Sequence, residues 1–354
     1  MVAWAWLWLS SAPLAAQVVT GQVVDSATAA PVGEGFVVLL DEQGREVART
    51  LAGADGRFLL QAPRAGRYRL RSERIGYVAF VAPLFTLDDR QTLTQTLSVT
   101  ALAVQLAAVE VAGRTTCGLA ADREERTAAV WEEVRKALAA AAWTERQRTY
   151  RYRTVAFERD LDASRTSVRE AVADTQTAHA PTPFRSLPAA ELVAHGFIVA
   201  EADSISYYGP DAVVLQDSAF LARHCFGLAR RSVRGVPQIG LSFRPERRTR
   251  LSDVRGALWL DEGTAELRSL EFSYTEVPEG VMDARIGGTV EFLRLPSGAW
   301  IVRRWELRMP RMGAQMIGGF GGAAQRRVTV QGFHDSGGEV LEIHRLDGRR
   351  VYPP

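Results

Sequence analysis

The sequence predicts a mostly β protein: a small β-sandwich, then an α+β unit built on a large curved antiparallel sheet or half-barrel with one packed helix. Three observations carry that expectation. Short apolar runs between Val18 and Leu97 are cut by Gly, Pro and Asp-Gly signals at even spacing, the pattern of a small all-β domain. One long stretch of helical periodicity follows, over Asp122 to Trp143, with apolar residues three and four apart. From Arg148 the apolar period is two, and strand-like runs alternate with turn signals to the end of the chain.

The 354 residues suffice for two domains. An apolar content of 47% with 24% charged residues is that of a globular protein. A net charge of +2 supplies no field to steer the whole molecule to nucleic acid or anionic lipid. Lys136 is the only lysine, all other Lys/Arg positions being arginine. That bias fits GC-rich coding better than selection for bidentate anion contacts.

Met1 to Ala16 reads MVAWAWLWLSSAPLAA. An apolar stretch followed by small residues is expected to be a secretory signal peptide over residues 1–16, cleaved after Ala16, although it lacks a Lys or Arg in its first part. The run is too short to span a bilayer. No later stretch has the length of a transmembrane helix, and no cysteine follows the cleavage region to carry a lipid. The mature protein is expected to be exported, in the periplasm or associated with the outer membrane, soluble or peripheral.

In the first unit, strands are expected at Val18–Val24, Phe36–Leu40, Val47–Leu51, Phe58–Leu60, through Tyr68 and Leu70, and at Thr92–Val99. Asp41 to Gly44 is a turn in which Asp caps its own backbone and Gly takes positive φ. Ala54-Asp55-Gly56 is a second, with the Asp-Gly pair that marks a hairpin. Arg67, Arg69 and Arg71 alternate with Tyr68 and Leu70.

Gly21, Val23 to Asp25, Pro31 with Val32, Asp55-Gly56-Arg57-Phe58, Gly66 with Tyr68, and Gly76-Tyr77 resemble the carboxypeptidase regulatory-like domain. The resemblance implies a transthyretin-like Greek-key sandwich of carbohydrate-binding-like fold over residues 17–112. In relatives this module stabilises or presents something else, as in metallocarboxypeptidases and at the front of TonB-dependent receptors. Fold alone licenses no activity. Leu102 to Gly113 looks like the strand that leads into the plug of those receptors, yet no plug or barrel follows here.

Residues 113–354 form the second expected domain. Its helix has Asp122 as N-cap, Glu124 and Glu125 in the first turn, and an apolar stripe of Val130, Val134, Ala137, Leu138 and Ala141 with Trp131 at the edge. The stripe is expected to pack on a sheet. Asp174 to Leu187 is polar and reads as a loop, Pro188 to His195 as a short helix, and Ile198 to Tyr208 as extended. Asp217 to His224 reads as another short helix, capped by Asp217 or Ser218. Strands are expected at Ile239–Phe243, Val254–Leu260, Leu267–Tyr274, Thr289–Leu295, Trp300–Met309, Arg327–Phe333 and Val340–Leu346. Asp261–Thr264, Leu295–Gly298 and Asp335–Gly338 are the hairpin turns. The unit from Gly256 to Leu267 resembles hairpins of periplasmic lipoprotein-carrier half-barrels.

Chemistry is sparse. A metallocarboxypeptidase needs His-x-x-Glu and a distant His to hold zinc with an open water site. His179, His195, His224, His334 and His344 are followed three residues later by Thr182, Ile198, Gly227, Gly337 and Asp347, so the ligands are missing. A Gly-x-Ser-x-Gly elbow fails at its second glycine, where Gly240-Leu241-Ser242-Phe243 is followed by Arg244. No cofactor or metal is expected.

Cys117 and Cys225 admit a disulfide in an oxidising envelope, two buried thiols, or a metal set with His224. The disulfide is favoured. Met309 to Ala324 reads as a long loop whose Met312, Met316, Ile317 and Phe320 form a candidate apolar binding loop, and its glycines lack the helix a phosphate-binding loop requires. Arg230-Arg231, Arg244 to Arg250 and Arg303-Arg304 are solvated faces without the aromatic interleaving of nucleic-acid binders.

The expectation is a non-catalytic envelope protein that binds a glycan, a lipid or an envelope protein, with peripheral membrane association open to it. The alternatives are a hydrolase using Asp203, Asp217, His224 or Glu306, and an accessory of a TonB-dependent outer-membrane transporter.

Overall fold

Period-two alternation builds most of the chain. The computed structural model describes residues 17–101, 121–164, 168–179, 186–200, 205–277, 286–317 and 325–353, and the chain divides into two units between Leu102 and Ala103.

The first unit holds β1 (Gln17–Asp25), β2 (Phe36–Asp41), β3 (Glu46–Leu51), β4 (Arg57–Ala62), β5 (Gly66–Glu73), β6 (Phe80–Val81), β7 (Phe85–Leu87) and β8 (Thr92–Val99). One sheet has the order β4-β1-β8 and the other β3-β2-β5, with β6 and β7 also on β5. In β4, Phe58, Leu60 and Ala62 are buried while Arg57, Leu59 and Gln61 face solvent. Val19, Val23, Leu60 and Leu97 from one sheet meet Val37, Leu39 and Leu70 from the other in a single core. This is the expected sandwich.

The turn chemistry is also as expected. Asp41 Oδ1 accepts the N–H groups of Gln43 and Arg45 at 3.0 and 2.9 Å. Gly56 has φ +75°, and a Cβ there would lie 2.5 Å from the Val23 carbonyl oxygen. β2 is apolar on both faces. Val38 and Leu40 point away from the core and lie opposite Arg49, Arg71 and Arg69. The stems of those arginines cover them. β8 pairs parallel to β1, a long-range closure that no local signal announces.

The second unit begins with α1 (Ala121–Gln147), β9 (Tyr150–Asp162), β10 (Val168–Ala178), α2 (Ala189–His195), β11 (Ile198–Ala200), β12 (Ile205–Tyr207) and α3 (Ser218–Leu221). It continues with β13 (His224–Val233), β14 (Val236–Pro245), β15 (Asp253–Asp261), β16 (Leu267–Thr275), β17 (Gly287–Arg294), β18 (Trp300–Ile317), β19 (Gln325–Arg345) and β20 (Arg350–Tyr352). One antiparallel sheet has the order β10-β9-β19-β18-β17-β16-β15-β14-β13, with β20 on β19. Its two edges, β10 and β13, do not pair with each other.

The sheet curls around α1. The helix packs on β18 and also on β13 and β14, and Trp131 meets Phe226 of β13 at a centroid distance of 5.8 Å. In a flat sheet β13 and β18 would lie five spacings, or about 24 Å, apart. A helix about 10 Å across touches both only if the sheet bends around it. Ile239, Leu241, Phe243, Leu258, Leu270, Phe272 and Val290 are buried along this inner surface. On α1 the stripe of Val130, Val134, Ala137 and Leu138 is buried, as expected. So are Glu133 and Lys136, whose side chains are 4% and 3% exposed and 2.6 Å apart. The enclosed face of the helix is therefore wider than its apolar stripe.

Four expectations are corrected. The polar segment from Asp174 continues β10 as far as Ala178, paired to β9. It is an edge strand, so its side chains are solvated and its composition mimics a loop. The helix after Asp217 stops at Leu221, and His224 opens β13, which absorbs Arg230 and Arg231. The turn at Asp335–Gly338 is absent because β19 runs through it. Gly337 and Gly338 are there because a Cβ would meet the Phe157 ring at 2.6 Å and the Trp305 ring at 2.4 Å, respectively. Met312, Met316 and Ile317 lie in β18, opposite Val330, Arg326 and Gln325 of β19. Phe320 lies outside the described residues.

Candidate functional site

The curl of the sheet leaves space at the C-terminal end of α1. A cavity of about 270 Å³ lies between Ala141, Ala142, Thr144 and Glu145 of α1, Tyr152 of β9, and the inner surface of β16 to β18. The segment Pro210–Val213 with Leu215 lines its remaining side. That segment is held by Asp211, whose Oδ1 accepts the N–H groups of Val213 and Val214 at 2.9 and 2.8 Å. The apolar wall comprises Leu215, Leu270, Val290, Phe292, Trp300 and Ile301.

Thr144, Glu145, Tyr152 and Asp211 are the polar residues of this lining. Thr144 Oγ1 donates to the Ala140 carbonyl at 2.9 Å. Tyr152 is 1% exposed, and its hydroxyl makes no hydrogen bond to a described residue. Burial raises the Tyr152 phenol, with smaller contributions from Tyr150 and Glu145. Burial likewise raises Glu145, the Asp211 carboxylate raises it further, and Arg146 opposes both.

The residues singled out from the sequence lie elsewhere. Asp217 caps α3, accepting the Ala219 N–H at 2.8 Å. His224 stacks on Phe220 at 3.8 Å between centroids. Its Nδ1 donates to the Phe220 carbonyl at 2.9 Å, and its Nε2 lies 3.1 Å from Asp253 Oδ1. His224 and Cys225 are successive residues of one strand, so they point to opposite faces and the two do not converge on an ion. Cys225 is buried, and no described cysteine is a free thiol. Cys117 and Asp203 lie outside the described residues.

Glu306 accepts Arg159 Nη2 at 2.9 Å on the outer face of the sheet. There it lines an open depression of about 360 Å³ with Glu271, Thr289 and Arg308. Asp217, His224 and Glu306 are thus three separate structural residues, and none of them lines the inner cavity.

Glu145, Tyr152 and Asp211 were not legible as site residues. Tyr152 shows only as one member of a period-two run, and Glu145 only as a polar residue after an alanine-rich helix end. Asp211 is separated from Glu145 by 66 positions, and only the curled sheet unites them.

Residues 18–100 match the carboxypeptidase regulatory-like domain family. No curated protein matches the chain. Among solved structures, a 5-hydroxyisourate hydrolase from Klebsiella pneumoniae is 18% identical, over 24% of this chain and 92% of that one, with a TM-score of 0.18. A DUF1329 family protein from Desulfovibrio piger is 9% identical, over 61% of this chain and 95% of that one, with a TM-score of 0.26. The group B streptococcus pilus 2b backbone protein is 15% identical, with a TM-score of 0.21; the match covers 26% of this chain and 43% of that protein's length. Scores this low carry nothing about the function of either unit. No described helix is long and apolar enough to cross a membrane. Residues 18–100 are therefore similar to the carboxypeptidase regulatory-like domain family, and the open half-barrel follows them in the chain.

Proposed function

We propose that this is an exported, non-catalytic binding protein of the cell envelope whose half-barrel holds a small, largely apolar ligand. The observation that carries this reading is the cavity between α1 and the concave sheet, about 270 Å³ in volume and walled mainly by aliphatic and aromatic side chains. Apolar cavities of about 150 Å³ already admit benzene, and small-molecule pockets begin at about 300 Å³. Among the glycan, lipid and protein partners left open by the sequence, such a lining favours a lipid-like molecule. A glycan would need a polar, hydrogen-bonding surface.

Filling the cavity tests this. Ala141→Phe places a ring in the space at the end of α1. The parent protein is expected to enhance phenylnaphthylamine fluorescence, and Ala141→Phe to abolish that enhancement. Folding should be unchanged, or stabilised by about 0.5–2 kcal/mol as other cavity-filling changes are. Undiminished probe binding by a folded Ala141→Phe protein overturns the reading.

Export is supported by the apolar leader over residues 1–16. A Cys117–Cys225 disulfide is part of this proposal, since such bonds persist in oxidising compartments. The mature protein, denatured without reductant, should take up no alkylating reagent, and after reduction it should take up two equivalents. Alkylation before reduction would remove the disulfide.

A further inference from the structure

A molecule in the cavity must also meet its polar end. Among the described residues, the ionisable side chains of the lining are two carboxylates, Glu145 and Asp211, and one phenol, Tyr152, with no Lys, Arg or His. Asp211 is fixed by the backbone N–H groups it accepts. Tyr152 is 1% exposed and its hydroxyl has no protein partner among the described residues. Tyr152 lines the cavity, and a ligand group at this place would give its hydroxyl a hydrogen bond.

Resting on the cavity reading above, we infer that the ligand is a single-chain amphiphile with a protonated amine head, held between the Glu145 carboxylate and the Tyr152 hydroxyl. An ammonium group offers three donors and no acceptor, which suits a carboxylate and a phenolic oxygen together. A carboxylate or phosphate head would face two like charges, Glu145 and Asp211. The volume limits the apolar part to one short chain or ring system, since the space is below the usual range for drug-sized ligands. The alkyl part would lie along Leu270, Val290 and Phe292.

The groups facing Glu145 are Asp211 on the covering segment, Tyr152 on β9 and Arg146 on its own helix. Burial and Asp211 raise Glu145 in the empty protein. A carboxyl raised on folding adds stability while it is protonated, and that contribution is lost as pH rises through its folded value. An amine placed beside it would reverse this penalty. Glu145→Gln should therefore raise the Tm of the empty protein at neutral pH and leave it unchanged in acid, while weakening amine binding.

The test uses the full mature chain and phenylnaphthylamine displacement by octylamine, octanol and octanoate at neutral pH. Octylamine is expected to bind about tenfold or more tightly than octanoate, a difference of about 1.4 kcal/mol, with octanol between them. In Glu145→Gln, octylamine should fall to the level of octanol, whose own affinity is unchanged. Tyr152→Phe should weaken octylamine and octanol alike.

Octanoate binding as well as octylamine would overturn the head-group inference and leave the cavity reading standing. So would a probe that binds but is displaced by none of the three. An amine preference that survives Glu145→Gln overturns the role of Glu145. A parent protein that does not bind the probe overturns the cavity reading itself.

Discussion

Lys136→Met should destabilise the second unit by about 3–5 kcal/mol, the range for removing one partner of a buried ion pair. Lys136 and Glu133 lie one turn apart on α1 with side chains 3% and 4% exposed and 2.6 Å between Nζ and Oε1. Methionine fills nearly the same volume, so little of the loss comes from a cavity. What remains is a buried carboxylate that has lost its ammonium partner Lys136. The double variant Lys136→Met with Glu133→Leu removes both charges and should return to within about 1 kcal/mol of the parent, or exceed it. Urea unfolding read by tryptophan fluorescence measures this in the right place, because Trp131, Trp143, Trp259, Trp300 and Trp305 all belong to the second unit. Equal losses in the single and double variants would show that the pair contributes through packing and not through charge.

Asp335→Ala is the second large effect, expected at about 3 kcal/mol, the lower end of the same range. Asp335 is fully buried in the middle of β19, directly opposite Arg308 of β18 and Arg159 of β9. Arg308 donates to both carboxylate oxygens at 2.7 Å, and Arg159 donates to Oδ2 at 3.1 Å. This fork-to-fork geometry is the strong form of the ion pair. It also ties three strands together where glycines leave the sheet without side chains. The cost stays at the lower end because Arg159 still donates to Glu306 and both guanidinium groups are partly exposed. Asp335→Asn, which keeps the shape and loses the charge, should cost less than alanine. An Asp335→Ala protein whose urea midpoint matches the parent would remove this account of the β18–β19–β9 seam.

These two residues also show where sequence reading stops. Lys136 stands out in the composition as the only lysine, yet composition assigns it no position relative to the core. Its burial depends on how far the sheet wraps the helix. Asp335-Ser336-Gly337-Gly338 has the residues of a turn and is continuous strand. The local preference is overridden by the Phe157 and Trp305 rings that need the glycines and by the arginines that need the aspartate. The same override acts on β10, where an edge strand carries the polarity of a loop. Where each residue sees mainly its neighbours, the expectations hold. The Asp41 and Gly56 turns, the Asp217 cap and the apolar stripe of α1 all form as the sequence predicts.

By itself the sequence determined the mostly β class, the regulatory-like sandwich, the one long helix and the absence of the metallopeptidase ligand pattern, because periodicity, turn residues and motif spacing are local properties. Only the tertiary structure decided that the sheet bends around α1, that Asp335 and Lys136 are buried, and that Glu145, Tyr152 and Asp211 share one cavity with Val290 and Phe292. Curvature is a property of many paired strands at once, and the groups it gathers are separated by too much chain for any local pattern to record.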